Sequence, residues 1–278
     1  MASVLVTDGG TRSALSIARS LGRRGHRVII GAETPRSISY YSKHCSERFL
    51  YPSPSVDRGG FEEVLIKYVS NNEVDLLIPV SDLTSIPIST RKEELAEHTT
   101  VCCPDRAMMD KAFDKHQTLK AAQRLDVPIP KTHFIESLDE VRSVADELRY
   151  PAVVKPRCSW YWIDGKVVSG SRRYVSSKEE LLQTYQGMSA EMPYPMIQEM
   201  IHGSGCGLFA LTSNGVPLAT FAHRRLREFP VSGGVSTLRE SVAPDEMVRE
   251  YGIRLLEGMG WEGVAMVEFK MDDESGVP

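Results

Sequence analysis

Over the first hundred residues, short apolar runs alternate with stretches of helical spacing. Val4-Leu5-Val6 leads into Asp8-Gly9-Gly10, after which Ala14, Ile17, Ala18 and Leu21 recur at helical intervals before Gly25 and the run Val28-Ile29-Ile30. That order predicts a βαβ unit. Phe61, Val64, Leu65 and Tyr68 mark a second helix, Leu76 to Val80 a further apolar run, and Val101-Cys102-Cys103 a short strand. Runs that are apolar on both faces suit parallel strands buried under helices.

The pattern changes after Asp114, where a helix leads to Val127-Pro128-Ile129-Pro130, whose prolines enforce an extended connector. Helices carrying Leu138, Val141, Val144, Ala145 and Leu148, and then Leu181, Leu182, Tyr185 and Met188, flank strands at Ala152-Val153-Val154 and Met196-Ile197-Gln198. This predicts a small α+β lobe. The last third reads as strands at Leu208 to Thr212 and Leu218 to His223, a helix carrying Val248, Tyr251 and Leu255, and a strand at Val264 to Met271. Asp272-Asp273-Glu274-Ser275-Gly276 is turn chemistry after a strand, so a returning strand is expected and the sequence reads as cut inside a hairpin.

A length of 278 residues suits two domains, and 41% hydrophobic with 25% charged residues is ordinary for a globular chain. The net charge of -4, without a sustained basic run, argues against a nucleic-acid partner. Small basic clusters at Arg172-Arg173 and His223-Arg224-Arg225 with Arg227 suit either an anionic small ligand or a solvated face. No apolar stretch approaches the ~20 residues of a membrane span. Five cysteines without a CxxC pair, and no leader before Val4, predict a reducing, cytoplasmic setting.

Four groups of residues carry candidate chemistry. Asp8-Gly9-Gly10 lies between strand and helix but lacks the full GxGxxG pattern, so a structural turn or a substrate pocket is favoured over NAD. Lys115 and Lys155 are candidate phosphate ligands in a chain without a GxxxxGK[ST] loop; Lys155 ends an apolar strand, where an ammonium needs an anion or water. Each also reads as a snorkelling surface lysine. Gln198-Glu199-Met200-Ile201 leaves a strand with exposed backbone groups flanked by apolar side chains, which suits a purine edge or an ordinary strand end. Glu268 alternates with Val267 and Phe269 on one strand, and its carboxylate suits magnesium or an arginine.

In succession, Lys115, Pro128 to Thr132, Pro151 to Pro156, Gln198-Glu199 with Gly203, and Gly260-Trp261 through Glu268-Phe269 resemble the ATP-grasp superfamily. The resemblance is to carboxylate-amine ligases related to the large chain of carbamoyl phosphate synthase. It implies a Rossmann-like pre-ATP-grasp domain at 1–111, an ATP-grasp lid lobe at 112–197 and a core lobe at 198–278 that lacks its last strand. It further implies that Lys115 and Lys155 hold ATP phosphates, that Glu199 to Ile201 carry adenine, and that Glu268 is the first magnesium carboxylate. The second carboxylate would lie on the returning strand, and Ser204-Gly205-Cys206-Gly207 occupies the stretch where an acid commonly binds ribose. Arg225 is the preferred residue facing the substrate carboxylate, with Arg224, Arg227 and Arg239 as alternates.

The implied reaction passes a phosphoryl group from ATP to a small-molecule carboxylate, and an amine or similar nucleophile then displaces phosphate. The segment from Arg157 to Arg173 would cover the phosphates, with Trp160, Tyr161 and Trp162 packed in it. Two rivals stand beside this reading. One is an ATP-binding module without ligase activity; the other is a nicotinamide oxidoreductase that binds at Gly9-Gly10.

Overall fold

The computed structural model describes residues 1–163, 166–192, 194–213, 216–229 and 234–278. Its described residues divide into two compact units, one of residues 1–109 with 166–167 and one of residues 110–163 with 168–278.

The N-terminal unit follows the alternation of its sequence: β1 (Ser3–Val6), α1 (Arg12–Arg23), β2 (Arg27–Ala32), β3 (Glu47–Leu50), α2 (Arg58–Asn71), β4 (Leu76–Ile78), α3 (Asp82–Thr90), α4 (Lys92–Ala96) and β5 (Thr100–Val101). A 3-10 turn at Ile38–Tyr41 precedes β3. The five strands form one parallel sheet in the order β3-β2-β1-β4-β5. Leu5, Ile29 and Leu77 join Phe61, Leu65 and Leu95 in one core, while Val4, Val6, Val28 and Ile30 join Ala14 and Ala18 in another. Both faces are thus covered, which accounts for the unbroken apolar runs.

From α5 (Arg106–Phe113), within which the second unit begins, the chain continues with α6 (Lys115–Arg124), β6 (Thr132–His133), α7 (Leu138–Glu147), β7 (Ala152–Lys155), β8 (Trp160–Ile163), β9 (Lys166–Ser169, its first two residues grouped with the first unit), β10 (Arg173–Val175), α8 (Lys178–Glu191) and β11 (Met196–Glu199). Strands β10-β7-β11-β6 form an antiparallel sheet, and β8 pairs with β9. Helices α7 and α8 begin alike. Ser137 and Ser177 accept from the backbone N–H of Glu140 and Glu180, whose carboxylates accept in turn from Glu136 and Ser176 N–H at 3.0 and 2.7 Å. Their apolar stripes, with Val141, Ala145, Leu181 and Tyr185, cover one face of the sheet through Ala152, Val154, Val175 and Ile197.

The chain then forms β12 (Gly203–Ser213), β13 (Val216–Phe229), β14 (Val235–Val242), α9 (Glu246–Met259) and β15 (Gly263–Asp272). These strands make a second antiparallel sheet in the order β14-β13-β12-β15. Helix α9 lies against one face, so closely that a Cβ on Gly252 would stand 2.6 Å from Leu208 Cδ2. Strand β14 is absent from the sequence reading because Val235 to Val242 mixes polar and apolar residues on both alternations. After β15 the chain turns, with Asp272 N–H donating to Val277 O at 3.0 Å and the Asp272 carboxylate accepting from Ser275 Oγ at 2.6 Å.

Among the described residues no helix is long and apolar enough to cross a membrane, and all five cysteines are free.

Candidate active site

Each antiparallel sheet of the second unit packs one face on helices, and several candidate residues lie on the opposite alternation of its strands. On the first sheet, Ala152 and Val154 face α7 and α8, so alternation turns Val153 and Lys155 to the other side. Gln198 shares that side, being paired in register with Val153 and with Thr132. The three polar groups form a chain: Lys155 Nζ donates to Gln198 Oε1 at 2.5 Å, and Gln198 Nε2 donates to Thr132 Oγ1 at 2.8 Å.

Lys155 has a neutral acceptor in Gln198 but cationic neighbours. Burial, and then the charges of Arg172, Lys115 and Lys270, pull its ammonium down to about 8. Lys115, at the start of α6, donates Nζ to Ser159 Oγ at 3.1 Å. Asp114 caps the same helix through His116 N–H and is ion-paired with Arg157, and Lys115 N–H donates to Arg157 O at 2.9 Å. Lys115 is thereby tied to the chain just after β7. In the sequence Arg172 stood out only as part of a basic cluster, without a role, and Lys270 was not singled out, although it lies two residues after Glu268 on the same face of its strand.

The proposed adenine segment divides. The Glu199 side chain turns back and accepts from Lys131 N–H at 2.5 Å, while its own N–H donates to Lys131 O. Met200 and Ile201 follow as half-buried residues outside any helix or strand.

On the second sheet Leu208, Val267 and Phe269 are buried, and the opposite alternation carries Gly205, Gly207, Glu268, Lys270, His223 and Arg225. Arg225, on β13, is ion-paired with Glu268 on β15, although β12 lies between their strands. Gly205 makes room: a Cβ there would stand 2.7 Å from Arg225 Cδ and 3.0 Å from Glu228 Oε1. The arginine also donates Nη1 to Glu228 Oε1 at 3.1 Å. Residues three apart on a regular strand face opposite sides, but register shifts between Arg225 and Glu228 bring these two together.

Burial raises the Glu228 carboxyl, and the bonds from Arg225 and Gly234 N–H more than reverse that, leaving it below its ordinary value. His223 is buried, and burial followed by the charges of Arg239 and Arg225 lowers it.

The four candidate arginines separate. Arg225 joins Glu228 and Glu268, and Arg239 is its direct cross-strand partner on β14. Arg224 is ion-paired with Glu240, opposite it in register, on the other alternation. Arg227 is exposed beyond the irregularity and pairs in register with Leu238. Glu268 itself faces an arginine, and among the described residues no group of three or more His, Cys, Asp or Glu side chains converges on a metal-sized site.

The glycine turn of the N-terminal unit is explained by packing. Asp8 has φ 58°, and its carboxylate accepts from Ser81 N–H at 3.1 Å, Ser81 Oγ at 2.8 Å and Thr84 Oγ1 at 2.6 Å, tying β1 to the start of α3. A Cβ on Gly9 would stand 2.6 Å from Ile30 Cγ2.

No protein-family model matches the chain. The chain is similar to the N-terminal section of the carbamoyl phosphate synthase large chain of Methanopyrus kandleri, 21% identical over 95% of this chain and 47% of that protein. It is also similar to the mitochondrial arginine-specific carbamoyl phosphate synthase large chain of Schizosaccharomyces pombe, 24% identical over 81% of this chain and 18% of that protein. The chain thus spans about half the length of the first relative and under a fifth of the second.

Among solved structures, biotin carboxylase of Campylobacter jejuni has a TM-score of 0.75 at 17% identity, covering 98% of this chain and 62% of that one. L-amino acid ligase of Bacillus licheniformis has a TM-score of 0.69 at 14% identity, covering 100% and 65%. The mixed architecture, with a parallel sheet and antiparallel sheets, is shared with these neighbours. Relatives by sequence are large chains of carbamoyl phosphate synthase and neighbours by fold include biotin carboxylase and L-amino acid ligase, so the chain's likeness is to the ATP-grasp carboxylate-amine ligases.

Proposed function

We propose that this chain carries the nucleotide-binding part of an ADP-forming ligase, which activates a small-molecule carboxylate as an acyl-phosphate for attack by an amine or similar nucleophile. The observation that carries the reading is Lys155, held by Gln198 and gathered with Lys115, Arg172 and Lys270, where burial first and these like charges second lower its ammonium to about 8. Like charges held together at a half-buried position suit a polyanion, and a triphosphate has the matching charge. In this reading Lys155 and Lys115 hold phosphate oxygens, Gln198 orients Lys155, and the backbone of Glu199 to Ile201 carries the adenine edge. The strand order of the N-terminal unit supports a Rossmann-like pre-ATP-grasp domain at 1–111, with a lid at 112–197 and a core lobe at 198–278.

Glu268 fits a nucleotide-borne magnesium ion. Its half-exposed carboxylate already faces a cation, and magnesium takes one or two carboxylates while keeping its other positions for phosphate and water. When bound, the ion neutralises phosphate charge during transfer. Arg225 and Arg239, opposite each other in register, suit the substrate carboxylate as it approaches a phosphate of like charge. The segment from Arg157 to Arg173 supplies the cover that keeps water from the acyl-phosphate.

A thermal-shift measurement tests this reading. ATP with magnesium is expected to raise the melting temperature while NAD does not, and Lys155→Ala should lose most of the rise. An undiminished rise in a folded Lys155→Ala variant would mean that the phosphates bind elsewhere.

A further inference from the structure

We propose that Arg225 is a resident counter-cation for Glu268 which a metal-bearing nucleotide must displace, and that Glu228 is the positioning residue that retains Arg225 when it leaves. This rests on the reading of Glu268 as the carboxylate that meets the metal.

The argument begins with charge. Arg225 is largely buried, with 17% of its side chain exposed, and a guanidinium cannot shed its proton to ease that burial. It therefore needs a carboxylate at all times. The structure provides two, Glu228 at 3.1 Å through Nη1 and Glu268 through Nη2. One guanidinium is thus shared between two carboxylates. The two are unequal, since Glu268 is 50% exposed and Glu228 only 22%. Glu228 is also fixed from a second side by Gly234 N–H at 3.2 Å, whereas among the described residues Glu268 has no other hydrogen-bonded or ion-paired partner. The half-exposed carboxylate is thus the exchangeable one and the buried carboxylate the anchor.

Surrounding cations give the exchange a direction. Arg239 lies directly opposite Arg225 in register, and Lys270 is two residues from Glu268 on the same face. A free divalent cation is repelled by this set, whereas a cation delivered with phosphates arrives as a net anion. The pair therefore discriminates against metal alone and lets metal-nucleotide compete for Glu268. No covalent bond changes in this step; one ion pair is exchanged for another.

Competition of this kind has a thermodynamic signature. A resident cation lowers the apparent gain from metal by the factor with which it holds Glu268, and removing it restores that factor. The quantity to measure is metal enhancement, the ratio of ADP affinity with magnesium to ADP affinity in chelator, obtained by calorimetry on the full chain. Arg225→Met should raise the ratio by about five-fold or more, at the lower end of ordinary coupling between sites. Glu228→Gln should lower it, because Arg225 then has Glu268 as its remaining carboxylate. Arg225→Lys serves if the Met variant fails to fold: a lysine keeps the charge but loses the fork that spans two carboxylates, and the ratio should still rise.

An unchanged or smaller ratio in both folded Arg225 variants, or a larger one in Glu228→Gln, overturns the proposal. Glu268→Gln separates the two levels of inference. Loss of metal enhancement in that variant supports the site, so that the other variants judge the exchange; enhancement that survives intact overturns the site reading and the exchange with it.

Discussion

Lys155 and Gln198 meet at 2.5 Å on neighbouring antiparallel strands, so the lysine is hydrogen-bonded without being neutralised. An amide oxygen orients the ammonium but carries no net charge, and burial together with the charges of Arg172, Lys115 and Lys270 opposes protonation. The position holds a lysine whose charge is opposed by its surroundings and would be favoured by an anion.

The first prediction concerns pH. The folded-state value of Lys155, about 8, lies below the ordinary lysine value, so the folded chain releases this proton before the unfolded chain does. Stability of the ligand-free chain contributed by this group therefore rises with pH across the interval between the two values. Nucleotide binding runs the opposite way, because phosphate favours the ammonium. Affinity measured by calorimetry should fall from about pH 7 to about pH 9, with net proton uptake on binding above neutrality. Flat affinity across that window would separate Lys155 from the phosphates.

A second prediction concerns Gly205. Alanine improves most strand positions over glycine, but here its Cβ would meet Arg225 Cδ at 2.7 Å and Glu228 Oε1 at 3.0 Å. Gly205→Ala is expected to destabilise the chain by about 1–3 kcal/mol in urea denaturation. A more stable variant would show that the arginine crosses β12 without needing this space.

The third prediction concerns Asp114, which caps α6 and pairs with Arg157. Asp114→Ala should cost about 1–2 kcal/mol at neutral pH. Burial alone would raise this carboxyl, but Arg157 and the His116 N–H outweigh burial and hold it below its ordinary value. Its contribution is therefore present above the unfolded carboxylate value and lost as pH falls through the lower folded one. Parallel acid titrations of stability for the two chains should converge at the acid end; a constant gap would place the effect outside the carboxylate's charge.

Local chemistry was readable in the sequence wherever one strand or helix sufficed to define it. Lys155 at the end of an apolar strand, and Glu268 alternating with two buried apolar residues, needed only a period of two. The partners of those groups were not readable in the same way. Arg225 reaches Glu268 across an intervening strand and Glu228 through an irregular register, and neither fact is written in residue spacing. Arg224 shows the converse: adjacent in sequence to the site arginine, it pairs with Glu240 on the opposite alternation. Gly205 and Gly207, met in the sequence as a gap where an acid was sought, are the places where side chains from β13 find room.

The sheet β10-β7-β11-β6 has its own core with α7 and α8, closed around Leu181, Tyr185 and Ile197. A sheet that buries its apolar side against its own two helices forms a local cooperative unit of opening. In hydrogen exchange its amides should protect and open together. Damage to that core, as in Leu181→Ala, is expected to speed exchange in the strands around Lys155 while leaving the parallel sheet of the N-terminal unit unchanged.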